Sequence, residues 1–290
     1  MRKSCALPLE FAAELTKIAA SGRGGRGVSR LCRPELWQQA ALLLEGSRRA
    51  AVVSGFYIPE AKAPETDGPC GAVVLARAFL KLGAEAVIWT DELCLAAMKS
   101  CASSVGFPEE RVVAPDLQTC LADFSPDALI FTERLGRAAD GRCYNMRGKD
   151  VSYWAAPLDG LAALGMITGV PVVGIGDGGN EAGMGNYIKE LSALLPRYKK
   201  CLSTVCASLA LPVDVSNWGA YALTAALSCV LGSWFGQTEG EEETMLKALR
   251  ASGAVDGVSL RGELSVDGFP LAEQQAVASS LRALFDKFAN

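Results

Sequence analysis

The chain has 290 residues, half of them hydrophobic, with a formal net charge of −4 at pH 7 and a mean hydropathy of +0.21. This length and composition exclude a disordered chain and predict a folded protein with a large core. No apolar run approaches the roughly 20 residues of a membrane-spanning helix, and Glu10 and Glu14 interrupt the stretch where a signal peptide would be apolar. We therefore predict a cytoplasmic protein without a membrane partner.

Histidine is absent from the sequence. Its absence excludes catalysis by Ser-His-Asp or Cys-His groups, and any bound metal must have mainly oxygen ligands or, as the weaker alternative, thiolates. A general acid or base must then be Asp, Glu, Lys, Tyr or Cys. The ten cysteines form no C-x-x-C pair, which argues against a zinc or thioredoxin-like site and favours reduced, mostly buried thiols.

The first 50 residues are basic, with nine Lys or Arg and four Asp or Glu. Two helices are predicted there, at 9–20 and 34–44, and the loop 22–27 between them alternates glycine and arginine. This loop could hold an anion, or it could simply be solvated. We predict that 1–48 is a helical segment packed on a single α/β domain spanning 1–290. The pI of about 5.2 and the lack of a basic stripe with aromatic residues argue against nucleic-acid binding.

Short apolar strands then alternate with helices along the chain. Predicted strands lie at 49–58, 86–89, 111–113, 127–131 and 170–175, and predicted helices at 71–82, 92–104, 153–167, 187–195, 219–232 and 271–288. This alternation is typical of a parallel sheet covered on both sides. The predicted fold class is α/β, with three layers and a mostly parallel sheet that has helices on both faces. An acidic loop is predicted at 236–243, and turns at the Asp-Gly pairs 256–257 and 267–268.

Carboxylates lie near the ends of four strands, at Asp67, Asp91, Glu133 and Asp177. Parallel α/β sheets bind ligands at the carboxyl ends of their strands. Each acid alone could belong to an exposed turn, but together they predict a carboxylate-lined cleft at one edge of the sheet.

The strand at 170–175 runs into a loop with five glycines between Gly176 and Gly185. Asp177, Asn180 and Glu181 in this loop supply the oxygen atoms that Mg²⁺, Mn²⁺ or Ca²⁺ prefer. The loop also matches G-x-G-x-x-G, but its two acids would repel a pyrophosphate and 191–200 lacks the acidic residue of a dinucleotide site. A simple structural turn stays open as well. Further on, Ser216 or Asn217 could be the N-cap of the helix that follows.

Six motifs together resemble the D-glutamate cyclase family over about residues 11–286. They are Gly55–Pro59, Glu65–Pro69, Glu133–Arg137, Met146–Gly148, Gly174–Gly185 and Ser216–Tyr221. The resemblance implies a three-layer α/β fold with a divalent-metal site. It also implies interconversion of D-glutamate with 5-oxo-D-proline and water.

From these residues we predict a metal-dependent enzyme with a small-molecule substrate. The predicted ligands of Mn²⁺ or Mg²⁺, with Ca²⁺ as a third choice, are Asp67, Asp177, Glu181 and Asp91. The predicted catalytic residues are Glu65, Glu133, Arg134 and Arg137. The predicted substrate-binding residues are Tyr57, Asn145, Arg147, Asn180 and Asn217.

In this hypothesis the metal polarises the γ-carboxyl group of the substrate, while Arg134 or Arg137 stabilises the intermediate. Glu65 or Glu133 takes the proton of the α-amine. Two alternatives stay open: a metal-dependent phosphatase or phosphohydrolase acting on a small phosphate ester, and a ligand-binding domain without catalysis. A homo-oligomer is compatible with either function.

Overall fold

A computed structural model describes residues 6–289. Its strands are β1 (Arg49–Ser54), β2 (Tyr57–Ile58), β3 (Ala63–Pro64), β4 (Glu85–Trp89), β5 (Val112–Val113), β6 (Ala128–Thr132), β7 (Val172–Gly176), β8 (Leu209–Pro212), β9 (Ser265–Val266) and β10 (Phe269–Pro270). Its helices are α1 (Leu9–Ala19), α2 (Pro34–Leu44), α3 (Pro69–Lys81), α4 (Glu92–Ser104), α5 (Cys120–Phe124), α6 (Gly160–Thr168), α7 (Ile188–Leu194), α8 (Ser216–Leu231), α9 (Glu241–Ala251) and α10 (Leu271–Ala289).

Six strands form the central sheet in the order β5-β4-β1-β6-β7-β8, and all neighbours are parallel. In its centre, Val52 pairs with Ile88 on one side and with Ile130 on the other. These strands are short apolar runs because both faces of a parallel sheet are buried. The remaining strands form two small antiparallel pairs, β2 with β3 and β9 with β10.

The two faces of the sheet contact different helices, because successive side chains of a strand point in opposite directions. Val52 and Ile130 pack into the larger core, with apolar residues of α1, α2, α3, α4, α8, α9 and α10. Val53 and Phe131 pack on the opposite side against Leu161 of α6. The prediction of a three-layer α/β fold is therefore confirmed.

Helices α3 and α8 lie side by side under the sheet and are almost fully buried. They approach closely at Gly71, where an added Cβ would lie 2.8 Å from the Cβ of Ala220. Both helices begin near the carboxyl ends of the central strands. The packing of these two helices therefore places two helix N-termini at the same edge of the sheet.

The N-terminal helices pack on the rest of the chain: α1 contacts α8 and α10, and α2 contacts α8 and β8. Residues 1–5 of the predicted segment 1–48 lie outside the described residues. Seven of the nine described cysteines are buried. Among the described residues no helix has the length and apolarity needed to cross a membrane.

Several predicted boundaries are wrong. The helix predicted at 153–167 begins only at Gly160, because Pro157 interrupts the segment after one 3₁₀ turn. The strand predicted at 49–58 ends at Ser54, since Gly55 has a φ of 114°. The loop predicted at 236–243 ends at Gly240, where the acidic first turn of α9 begins. Acidic residues are favourable at a helix N-terminus, so this charge run belongs to the helix.

One buried carboxyl lies in the larger core, between α8 and α9. The hydroxyl of Tyr221 and the side-chain amide of Gln237 each donate to Glu242 Oε2, both over 2.8 Å. Burial raises the pKa of Glu242 to about 7, while these two hydrogen bonds act in the opposite direction. Glu242 therefore makes the stability of the fold depend on pH.

We expect Glu242→Gln to reduce that dependence. Because the pKa of Glu242 in the folded state lies above its ordinary 4.5, its stabilising contribution is full below pH 4.5 and is lost as the pH rises through about 7. The shift corresponds to on the order of 3 kcal/mol in the free energy of unfolding. Urea denaturation of wild type and variant from pH 4.5 to about 8 measures the difference. Glu243→Gln, which removes a partly exposed charge, is the control. The prediction is contradicted if the free energies of unfolding of wild type and Glu242→Gln differ by the same amount over this whole pH range.

Candidate functional site

A cavity of about 230 Å³ lies at the carboxyl edge of the central sheet. The N-termini of α3 and α8 lie next to it, together with the loops that follow β6 and β7. Its polar and charged lining consists of Arg26, Glu65, Glu133, Asn145, Arg147, Asn180 and Asp267. Five of the predicted catalytic and substrate-binding residues are in this set: Glu65, Glu133, Asn145, Arg147 and Asn180.

Three buried carboxylates meet beside this cavity. Asp67 precedes α3, Glu133 follows β6 and Asp177 follows β7. One carboxylate oxygen of each lies within 4.8 Å of those of the other two. We call these three residues the carboxylate cluster. The sequence predicted two of them as metal ligands and Glu133 as a catalytic residue.

Asp67 and Asn217 connect the starts of α3 and α8. Asp67 accepts hydrogen bonds from the backbone N–H groups of Ser216, over 2.9 Å, and of Asn217, over 2.8 Å. In return, Asn217 Oδ1 accepts from the N–H groups of Gly68 and Gly71, over 3.0 and 2.7 Å. Asn217 therefore does not cap its own helix, as one interpretation of the sequence had it, but caps α3. Each of the two side chains satisfies N–H groups at the start of the other's segment.

These contacts also set the charge state of Asp67. Burial, followed by the nearby Asp267, raises the pKa of Asp67 to about 8, while the backbone N–H donors act in the opposite direction. The positive ends of two helices favour a negative group at this position. Asp67 is thus a carboxyl group that the two helix N-termini hold in a fixed place and whose pKa burial raises.

Glu133 has a φ of 44°, in the left-handed region that non-glycine residues rarely adopt. This backbone turns its side chain into the cluster, where Ser216 Oγ donates to Glu133 Oε2 over 2.7 Å. Burial raises the pKa of Glu133 well above its ordinary value, and the negative charges of Glu181 and Asp67 add to this effect. Backbone strain of this kind is concentrated at functional sites.

Asp177 is paired with an arginine from the N-terminal loop. Arg26 Nη1 lies 2.7 Å from Asp177 Oδ1, and Arg26 Nη2 lies 3.6 Å from Asp267 Oδ2. Asp177 Oδ2 is buried without a hydrogen-bond partner. Burial raises the pKa of Asp177 well above its ordinary value, and the charge of Arg26 acts in the opposite direction.

Arg26 and Asp267 were not among the predicted site residues. The loop containing Arg26 did suggest an ion site, but for an external anion. The Asp267-Gly268 pair suggested only a turn. Nothing local to either segment indicates that Arg26 pairs with Asp177 or that Asp267 reaches Arg26.

Glu181 fills the glycine-rich loop after β7. Its carboxylate accepts from the backbone N–H groups of Asp177, Gly178 and Gly179, over 3.2, 2.7 and 2.7 Å. These are the N–H groups that would have to bind a phosphate in a dinucleotide site, so that alternative is wrong. The structure uses Glu181 to shape the loop and does not group it with the carboxylate cluster.

The other predicted metal ligand, Asp91, also lies apart from the cluster. It forms a buried ion pair with Arg134, and Asp91 Oδ1 further accepts from the N–H of Ala156 over 2.7 Å. Arg134 and Arg137 do not line the cavity, and Arg137 lies 3.3 Å from Asp159 Oδ1. Tyr57, on the β2–β3 hairpin, does not line it either.

The residues that line the cavity offer groups of both charges. Arg147 Nη2 donates to the carbonyl of Gly257 over 2.8 Å. Asn180 Nδ2 donates to the carbonyl of Tyr144, while Asn180 Oδ1 is buried without a partner. The carboxyl of Glu65 has no hydrogen-bond donor among residues 6–289. Burial, together with nearby acidic residues, raises the pKa of Glu65 well above its ordinary value.

This donor set fits a hard divalent cation. Asp67, Glu133 and Asp177 offer carboxylate oxygens, and the unpartnered Asp177 Oδ2 and Asn180 Oδ1 are buried acceptors of the kind that a cation satisfies. No thiolate of the described cysteines belongs to the cluster, which favours Mg²⁺, Mn²⁺ or Ca²⁺ over softer metals.

We expect Asn217→Ala to destabilise the fold, because it leaves the N–H of Gly71 and the carbonyl of Thr66 without a partner and removes one of the two acceptors of the Gly68 N–H. The expected loss is about 2–4 kcal/mol in the free energy of unfolding, measured by urea denaturation. Asn186→Ala is the matched control, since Asn186 makes two hydrogen bonds to Ala207 at an exposed position. Equal losses in the two variants would show that the capping role is wrong.

Comparison with known proteins gives the family of this chain. Residues 15–282 match the family model described as D-glutamate cyclase-like, C-terminal. A human protein named D-glutamate cyclase, mitochondrial, is 31% identical over 308 aligned residues, which cover 91% of this chain and 50% of the human protein. The chain thus spans about half the length of that relative. On the extent of both matches, this chain belongs to the D-glutamate cyclase-like family.

Proposed function

We propose that the chain is a lyase that interconverts D-glutamate with 5-oxo-D-proline and water and that it binds a divalent cation. Family membership and the name of the human relative support the reaction class. The observation that carries the proposal is the cavity lined by Glu65, Glu133 and the guanidinium groups of Arg26 and Arg147, with the other two members of the carboxylate cluster next to Glu133. Carboxylates and guanidinium groups together complement a substrate with one ammonium and two carboxylate groups.

Asp67 and Asp177 would hold the cation, with Asn180 Oδ1 as a further oxygen donor, while Glu133 lies beside them and is kept for proton transfer. Mn²⁺ and Mg²⁺ suit this oxygen set best, and Ca²⁺ is the third choice. When bound, such a cation polarises a carboxyl group toward nucleophilic attack. Asp91 and Glu181 are left out of this set because their oxygens serve Arg134 and the glycine-rich loop.

Glu65 is the proposed base. The α-amine of the substrate is an ammonium group in solution, and it must lose a proton before its nitrogen can attack C5. A carboxyl whose pKa is raised by burial holds a proton more firmly near neutral pH, so Glu65 is suited to accept this one. Its lack of a hydrogen-bond donor among the described residues leaves it available for the substrate.

Glu133 is the proposed acid. As the bond between nitrogen and C5 forms, a C5–O bond breaks, and in total two protons pass from the nitrogen to the departing oxygen, which leaves as water. Glu133 has a raised pKa, and Ser216 fixes its orientation through Oε2. Arg147 and Asn145, on the wall of the cavity, would hold a substrate carboxylate. Arg134 and Arg137 are assigned no step, because they pair with Asp91 and Asp159.

No observation favours the phosphohydrolase alternative. Its two anion-binding devices would be the basic N-terminal loop and the backbone of the glycine-rich loop. Arg26 of the former pairs with Asp177, and Glu181 occupies the latter. The human relative is named as mitochondrial. For this chain, a cytoplasmic location and a homo-oligomer both stay predictions.

The first test is the formation of 5-oxoproline from D-glutamate by protein that is stripped of metal and then given Mn²⁺ or Mg²⁺, with L-glutamate alongside. We expect cation-dependent turnover of the D isomer, and a loss of about 100-fold or more in Asp177→Asn, because that change removes a ligand charge. Asp123→Asn, at an exposed position of α5, is the matched control. Wild-type protein that turns over neither isomer would refute the proposal, and full activity in Asp177→Asn would refute the ligand set.

Gly257→Ala tests the role of Glu65 without changing a charged residue. A Cβ at Gly257 would lie 1.6 Å from Glu65 Oε1, so the carboxyl must rotate out of its place. We expect kcat to fall on the order of 100-fold, since a misplaced general base loses most of its effect, while Mn²⁺ affinity is unchanged. Gly262→Ala is the control, because its nearest neighbour, Arg250 Cγ, is at 3.7 Å. Unchanged kcat in Gly257→Ala would argue against Glu65 as the base.

A further inference from the structure

Among the ion pairs of residues 6–289, only that of Arg26 joins a cation to the carboxylate cluster. Its guanidinium group donates to Asp177 Oδ1, and Asp177 is one of the three residues whose carboxylates fit a divalent cation. The Arg26 side chain also lines the cavity and is 33% exposed, whereas that of Asp177 is 2% exposed. Arg26 therefore faces both the cluster and the space where a substrate would lie.

The backbone on either side of Arg26 is fixed. The N–H groups of Ser21 and Gly22 donate to the Asp214 carboxylate, and Val28, two residues after Arg26, is fully buried. Arginine has a long side chain with several rotatable bonds, so the guanidinium group can change partner while this backbone stays in place. The second nitrogen, Nη2, has only the longer 3.6 Å contact with Asp267.

A divalent cation and a guanidinium group compete for Asp177. Both are positive, and both need the same buried carboxylate, so binding of the cation weakens the pairing of Arg26 with Asp177. A guanidinium group released at the cavity wall has a planar fork of donors that matches a carboxylate. Arg147, which lines the same cavity, offers a second guanidinium group.

We propose that Arg26 is a substrate-binding residue that exchanges Asp177 for a substrate carboxylate when a divalent cation takes Asp177. This inference rests on the proposed function, because it assumes an acidic substrate and a cation in the same cavity. It has a thermodynamic consequence. The cation and a dicarboxylate ligand must strengthen each other's binding, and the coupling must pass through Arg26.

The experiment is calorimetric titration of the metal-stripped protein with Mn²⁺, with and without glutarate, a dicarboxylate without an amine that therefore cannot cyclise. For wild type we expect glutarate to raise the Mn²⁺ affinity about tenfold. For Arg26→Gln we expect tighter Mn²⁺ binding than wild type without glutarate, since the competitor is gone, and no effect of glutarate. Arg30→Gln, an exposed arginine that does not line the cavity, should behave like wild type.

Arg26→Lys provides a second variant, because it keeps the charge but not the planar fork. We expect it to bind Mn²⁺ like wild type and to show a weaker effect of glutarate. Circular dichroism of each variant establishes that it is folded. Wild-type coupling in Arg26→Gln, weaker Mn²⁺ binding in that variant, or no Mn²⁺ binding by wild type would each overturn the exchange. Coupling without turnover of D-glutamate would refute only the proposed reaction, and turnover without coupling would refute only the exchange.

Discussion

Asp67 caps the start of α8, and Asn217 of α8 caps the start of α3. This reciprocal contact joins segments that lie 150 residues apart along the chain, and it fixes two helix N-termini against the end of the sheet. The positions of the other groups follow from it. Ser216, at the first turn of α8, holds Glu133, and Gly68 packs beneath the Glu133 side chain. The contacts that pack α3 against α8 therefore also position the residues of the site.

The site concentrates negative charge in a buried place, which is costly unless a positive group is near. The helix N-termini supply partial charges from backbone, and the full charge of Arg26 comes from a segment that is not part of the sheet. That segment is in turn held by Asp214, just after β8. The N-terminal helices thus have a role beyond covering the core, since they carry the group that balances Asp177.

The alternation of strands and helices was sufficient to predict the sheet and its layers, because hydrophobic periodicity is a local property. The clustering of Asp67, Glu133 and Asp177 could also be predicted, since strand ends of a parallel sheet meet at one edge. The partner of each acid could not. Glu133 and Arg134 are neighbours in sequence, yet one joins the cluster and the other pairs with Asp91. Residue type alone also cannot indicate that Glu181 binds its own loop or that Arg26 and Asp267 reach across the fold.

The packing of α1 against α10 constrains the order in which parts of the fold can form during synthesis. The ring of Phe11 lies edge-on to that of Phe288, with 5.4 Å between the centroids, so an apolar surface of α1 is covered by α10. Because α1 is synthesised well before α10, the apolar face of α1 must stay uncovered until α10 has been made. Asp267, which contacts Arg26, is made equally late. The strands of the central sheet can pair before this part of the chain has been made, but the charged cavity is complete only once Asp267 is in place.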